Sequence, residues 1–243
     1  MEEISLKAQE LFNIGGFSMT NSFLLTLVAS LFLLLGAFIV NRRIKIIPGK
    51  LQGALEMGTE SFLNLMESTL GSAKKAEKYF PLVATIFIFI LASNFLGLLP
   101  GVGSFTFYSG HGEVSLFRSP ASDLNFTLAF AVISVLATNV LGMFAVGAFP
   151  HISKFLNFTN PINFFIGILE LISELAKVIS LSFRLFGNVF AGEVLLTIIF
   201  FLVPYIIPLP FLFLELFVGL IQAFIFAMIT LVSISLHTAL HEH

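Results

Sequence analysis

In the carboxy-terminal third of the chain, Glu170, Glu174, Lys177, Arg184, Glu193, Glu215 and Gln222 interrupt a stretch dominated by Leu, Ile, Phe and Val. Carboxylates and amines take up and release protons, whereas an arginine keeps its charge throughout the working range of a protein. Their spacing is informative. At about 100° per helical residue, measured from Arg184, Glu170 and Asn188 fall near +40°, Glu174 near +80°, Lys177 near +20°, Ser173 near -20° and Ser180 near -40°. These seven side chains, Arg184 included, share one arc of about 120°, while Glu193 lies about 180° away. In the next apolar segment Glu215 and Gln222, seven residues apart, share a face that Ser233 continues. Two polar routes that end at different lateral positions, with a permanent cation between them, have the form of two offset half-channels. The plainer reading is a structural seam, and Glu174 with Lys177 also reads as an ordinary i,i+3 ion pair. Arg184 resists it: Leu181, Phe183, Leu185 and Phe186 surround it, and no acid lies three or four positions away.

The elements that must hold these groups follow from composition. Of 243 residues, 57% are hydrophobic and 11% charged, with 31 Phe and no Cys, and the mean hydropathy is +1.01. A soluble domain carries about 25% charge. The sequence therefore predicts an all-α integral membrane protein forming one membrane domain. The net charge of -2 supplies no basic surface for nucleic acid. Disulfides, thiolate metal sites and thiol nucleophiles are excluded by the missing cysteine.

The apolar runs predict a first span at 23–40, a second at 80–99 closing at Pro100, and a third at 124–149 closing at Pro150; Pro after the last turn is a common stop. An acidic segment, 1–22, precedes the first span and the basic Arg42, Arg43 and Lys45 follow it, the reverse of a cleaved signal peptide. Residues 41–78 hold seven basic and four acidic residues with Leu51, Leu55, Phe62, Leu63, Met66 and Leu70 in helical spacing, which predicts an interfacial amphipathic helix. Placing this loop in the cytoplasm puts the amino terminus and the 100–123 loop outside and the carboxy terminus inside.

Residues 161–203 contain no clear stop, and a last apolar segment runs from 211 to 240. As one helix, 161–203 would be roughly 64 Å long, about twice the ~30 Å hydrocarbon core. Either it breaks near Gly187 and Asn188 or it lies at roughly 60° to the membrane normal, far from the usual ~20°, supported by a large partner. With the last segment it forms a long, strongly tilted hairpin.

The run Ile179-Ser-Leu-Ser-Phe-Arg184-Leu-Phe-Gly-Asn188-Val-Phe-Ala-Gly-Glu193 closely resembles the signature of subunit a of the proton-translocating membrane sector of F-type rotary ATP synthases. Asp123-Leu-Asn125-Phe-Thr-Leu128 and Gln222-Ala-Phe-Ile-Phe226 match further segments of that family, in its order and spacing. The resemblance implies a non-catalytic stator subunit in a bacterial plasma membrane or an equivalent energy-coupling membrane. Its partners would be a ring of small hairpin subunits, each with one membrane-embedded carboxylate, the b subunits of the peripheral stalk, and the rest of the complex. Arg184 would face the ring carboxylates and block a direct leak. Glu193 and Glu215 would lie on an outer half-channel, Asn188 and Gln222 around the encounter, and Glu170, Ser173 and Ser180 along the inner route, beside Glu174 and Lys177. No cofactor is implied; the carried ion is H+, with Na+ the second candidate.

One departure concerns Glu215, where many bacterial members have His, so both Glu193 and Glu215 are acidic here. Two neighbouring carboxylates repel one another's charge, which predicts a shared proton. Among rivals, a secondary transporter or channel would use these charges for substrate, but no second copy of the Arg184 segment supports internal repeats. An intramembrane hydrolase lacks G-x-S-x-G and H-E-x-x-H, and ATP binding lacks its glycine-rich loop. His237 and His241 have the i,i+4 spacing of a metal pair, yet their terminal position predicts interfacial or exposed side chains. Asn160-Pro161 reads as an N-cap with Pro at N1. His111 and Glu113 offer no evident chemistry.

Overall fold

The computed structural model describes residues 9–14, 17–99, 102, 106–109, 112–155, 161–203 and 205–238. Among the described residues, five helices are long and apolar enough to cross a membrane: α1 (Asn21–Arg43), α3 (Ala73–Gly97), α4 (Leu124–Val146), α6 (Pro161–Leu202) and α7 (Pro208–Thr238). Between them lie α2 (Lys50–Leu70) and the short α5 (Ala148–Ser153). Only α-helices and closed barrels satisfy backbone groups in lipid, and the described parts of the apolar runs are helical apart from breaks near their ends. Two short antiparallel hairpins, β1 (Glu10–Ile14) with β2 (Phe17–Thr20) and β3 (Thr106–Ser109) with β4 (Gly112–Ser115), cover one end of the bundle. That end is the hairpin end; the other carries α2 and α5.

α7 is the packing centre. Ala227, Leu231 and Ile234 meet Met66, Leu70, Tyr79 and Val83 of α2 and α3. Ala223 and Phe226 join a second cluster with Ile86 and Ile90 of α3, Ala131 of α4, and Leu181, Leu185 and Val189 of α6. Small and hydroxylated side chains let the helices approach closely, as in membrane bundles generally. Ser134 of α4 pairs with Thr230 of α7 at 2.8 Å, and Thr127 of α4 with Ser182 of α6 at 3.0 Å. Leu34 and Phe144 are 69% and 82% exposed, suitable for lipid rather than water.

α6 is unbroken through Gly187 and Asn188, which resolves the choice left open by the sequence. Its 42 residues make a rod of roughly 63 Å, too long to stand upright in a ~30 Å core. α4 differs from expectation at its end: it stops at Val146, where Gly147 has φ 102°, and Pro150 lies within α5. A glycine takes that positive φ without a Cβ clash, so the chain turns before the proline.

Asp123 belongs to the frame of the site. It is the N-cap of α4, accepting from the Asn125 backbone N–H at 2.9 Å, and accepts a 2.6 Å hydrogen bond from Ser22 Oγ of α1. The Asn125 side chain is exposed. A cap contributes about 1 kcal/mol and a hydrogen bond to a charged group about 1.5 to 3 kcal/mol. Asp123→Ala is thus expected to cost about 2.5 to 4 kcal/mol, lowering the thermal midpoint of the detergent-solubilised complex, while Asp123→Asn retains most of the cap; a scanning thermal-unfolding measurement of both variants checks this.

Candidate functional site

α6 is the platform. Gly167, Glu174, Leu181, Ser182, Leu185, Val189, Gly192 and Leu196 form its buried stripe, at the three- and four-residue spacing of a helix face packed on neighbours. The polar arc lies beside that stripe. Ser173, Ser180, Arg184 and Asn188 are exposed, Glu170 and Lys177 half-buried, and Glu174 at the arc's inner edge is turned into the bundle. Arg184 donates from Nη2 to Ser180 Oγ at 3.1 Å. Among the described residues it forms no ion pair, and the neighbouring Phe183 is 54% exposed. A guanidinium on an open, apolar helix face is costly in lipid unless a counter-charge or water meets it.

Towards the hairpin end, about 13 Å further along the axis, Glu193 pairs through Oε1 with Arg118 Nε at 3.4 Å. Arg118 also donates to Ser122 Oγ at 3.1 Å, and its guanidinium lies 5.9 Å from the Phe190 ring centre. Glu215 of α7 is buried, and its carboxylate occupies the space where a Cβ on Gly192 would stand. Gly192 therefore brings Glu215 onto α6, with Glu193 acting electrostatically on it. One turn on, Asn94 of α3 donates to the Gly219 carbonyl at 3.0 Å. Its Oδ1 and the Ser93 hydroxyl are buried without hydrogen-bond partners among the described residues. Ser93-Asn94 interrupts the second apolar run with two polar residues, a signal the apolar-run reading passed over, and nothing in the spacing joins Arg118 to Glu193. Gln222 and Ser233 are buried on the same face of α7 as Glu215.

Towards the α5 end, a cleft of about 520 Å3 opens between α6 and α7. Lys154, Glu170, Ser173, Lys177, Ser233 and His237 supply its polar lining, and α7 supplies an apolar wall that includes Phe224 and Met228. Lys154 pairs with Glu170 at 2.6 Å, Lys177 with Glu174 at 2.5 Å, and His237 Nε2 lies 3.3 Å from Glu174 Oε1. His237 corrects the expectation from sequence: it is 2% exposed, because the end of α7 docks on α4, α5 and α6 instead of fraying into solvent. His241, His243, His111 and Asn160 lie outside the described residues, as does the Glu113 side chain. Glu170, Glu174 and His237 bring one ligand atom each within 4.8 Å. Both carboxylates already carry an ammonium group at 2.5–2.6 Å, and the two lysines would repel an added cation, so this is an ion-pair network.

The arrangement is thus a cation on an open face, with a carboxylate pair on one side and a polar cleft on the other. About 34 Å of helix axis separates Glu170 from Glu193, with Arg184 between them. The family model described as ATP synthase A chain matches residues 22–235. The chain is similar to ATP synthase subunit a of Moorella thermoacetica, 35% identical over 229 residues, covering 93% of this chain and 94% of that protein. It is also similar to ATP synthase subunit a 3 of Pelobacter propionicus, at 37% identity covering 86% and 82%, and to ATP synthase subunit a of Campylobacter concisus, at 36% covering 89% and 88%.

The Gly192–Glu215 approach is directly measurable because the chain has no cysteine. Replacing both by cysteine brings their Cβ atoms within about 4.5 Å, inside disulfide range. Gly192→Cys with Glu215→Cys should cross-link α6 to α7 on oxidation in membranes, read as a mobility shift, whereas Gly187→Cys with Glu215→Cys should not.

Proposed function

The chain belongs to the ATP synthase A chain family, and from that premise we propose that it is the proton-translocating stator subunit of the membrane sector, coupling proton flow to ATP synthesis through two offset half-channels. Membership makes it a multi-pass membrane subunit working with the rest of an ATP synthase complex. The observation that carries the finer reading is the exposed Arg184 guanidinium, without an acidic partner among the described residues, between the Glu193–Glu215 pair and the Glu170–His237 cleft.

In this reading Arg184 faces a ring of small hairpin subunits and attracts each deprotonated ring carboxylate as it passes. A proton enters from outside by way of Glu193 and Glu215 and neutralises the carboxylate. The neutral carboxyl travels almost a full turn through lipid, and its proton leaves through the cleft lined by Glu170, Ser173 and Lys177, with Ser180 and Glu174 beside it. Asn188 and Gln222 set the polar surroundings of the encounter. Arg184 also bars direct passage between the two routes, since a proton approaching it meets a fixed positive charge. One proton crossing 100 mV releases about 2.3 kcal/mol, so several are needed for each ATP and a leak is expensive. The amino terminus faces outside and the carboxy terminus the cytoplasm of a bacterial plasma membrane or an equivalent energy-coupling membrane. The peripheral stalk b subunits hold the chain against the ring. The subunit needs no cofactor and catalyses no reaction on nucleotides; H+ is the ion carried.

Arg184→Ala should abolish proton-driven ATP synthesis while the complex still assembles; retained coupled synthesis overturns the role given to Arg184. Glu193→Gln and Glu215→Gln should each slow ATP synthesis by about tenfold or more, measured in energised vesicles. Normal rates in both would eliminate the shared-proton entrance. ATP-driven pumping at high pH, compared with and without Na+, should be indifferent to Na+.

A further inference from the structure

Behind the cleft the polar residues continue into a buried network whose Asn139, His151 and His237 no step above uses. Glu174 Oε1 receives both Lys177 Nζ and His237 Nε2, and Oε2 accepts from Asn139 Nδ2 of α4 at 3.2 Å. Asn139 also donates to the Val135 carbonyl, and its Oδ1 lies 3.1 Å from His151 Nε2 of α5. Because that oxygen can only accept, His151 Nε2 carries a hydrogen; facing a carboxylate, so does His237 Nε2. The two rings are 5.4 Å apart. Gly142 makes room for them: a Cβ there would stand 2.7 Å from His151 Cε1 and 2.9 Å from His237 Cβ. Each ring keeps its Nδ1 buried without a hydrogen-bond partner, so Nδ1 is the atom at which each gains a proton.

Among the described residues, the charges facing this pair are Lys154 beyond α5 and Glu170, Glu174 and Lys177 of α6. α4 contributes the uncharged Asn139, and α2 reaches the end of α7 through the Thr69 carbonyl, which accepts from Ser235 Oγ at 3.4 Å. The four charges cancel. One added proton on the ring that lines the cleft, His237, changes the sum from zero to +1. It also places a second cation on Glu174 Oε1, in competition with Lys177. A proton on both rings would set two like charges 5.4 Å apart in a site that already holds two lysines. Burial, followed by the neighbouring His237 and Lys154, pushes the His151 imidazole below its ordinary range, which favours its neutral form.

Resting on the reading of the cleft as the inner half-channel, we propose that His237 sets the cleft's net charge according to cytoplasmic pH, and that His151 limits the pair to one positive charge. The step is a simple protonation: His237 Nδ1 takes an H+ that enters from the cytoplasm through the cleft it lines and returns it by the same path, with no change of redox state. With His237 charged, the cleft repels protons arriving from the cytoplasm, and uptake for ATP-driven pumping falls. A unit charge about 10 Å away at an effective dielectric of about 20 changes local proton activity on the order of tenfold.

The test uses the whole ATP synthase in inverted vesicles, whose outer medium is the cytoplasmic face. ATP-driven proton uptake is followed with a pH-sensitive dye from pH 5.5 to 8, normalised to uncoupled ATP hydrolysis. His237→Gln keeps a donor for Glu174 but cannot charge, and should retain on the order of tenfold more uptake than the native complex at the acid end. His151→Gln keeps a donor for Asn139 and removes the competing ring, and should move the acid-side decline to higher pH. A native profile in His237→Gln overturns the proposal, since a purely structural contact leaves the pH dependence in place. If that variant does not assemble, an unmoved decline in His151→Gln overturns it equally. Arg184→Ala in the same vesicles separates the two levels: persistent uptake there removes the half-channel reading itself, whatever the histidine variants do.

Discussion

A charge that one apolar helix carries but does not neutralise governs this molecule. Arg184 lies on the open side of α6, hydrogen-bonded to Ser180 and unmatched by acid among the described residues. Removing a guanidinium from water is tolerated when a carboxylate meets it or water reaches it. The surrounding structure keeps the chain's own carboxylates away. Glu193 is on the opposite face and engaged by Arg118, Glu174 is turned inward and engaged by Lys177, and Glu170 is engaged by Lys154. Glu170, Glu174 and Glu193 each have a cation of their own, so none of the three neutralises Arg184.

Holding that separation requires a stiff frame, and α7 provides it. Its buried face alternates small residues with Glu215, Gln222, Thr230, Ser233 and His237, so the same surface that packs the bundle also carries polar groups into it. Gly192 and Gly142 do related work at opposite ends: one admits a carboxylate, the other two imidazoles. Both spaces are defined by a missing Cβ. A larger residue at either place would separate helices as well as displace a side chain, which ties site geometry to bundle packing.

Much of this was legible in the sequence, for physical reasons that differ by residue. The long apolar runs require helices because lipid offers the backbone no partners. The arc from Glu170 to Asn188 follows from helical periodicity alone. That Glu174 would turn inward did not follow, because the arc's edge borders the buried stripe and only the neighbours on α4 and α7 decide its direction. His237 was misjudged because nearness to a terminus implies exposure, whereas docking depends on Gly142 and His151, remote in sequence. Arg118 sits in a loop whose register against α6 no local pattern encodes. The early end of α4 depends on the backbone angle of Gly147, a choice that a nearby proline obscured.

The unbroken length of α6 has a geometric result. A rod of roughly 63 Å, if confined to a ~30 Å layer, would lie at about 60° to the normal. The ~34 Å between Glu170 and Glu193 then resolves into about 17 Å of depth and about 30 Å of sideways displacement. The helix is a ramp: two points at different depths are separated mostly in the plane of the membrane. Anything handed from one to the other would travel sideways farther than it descends.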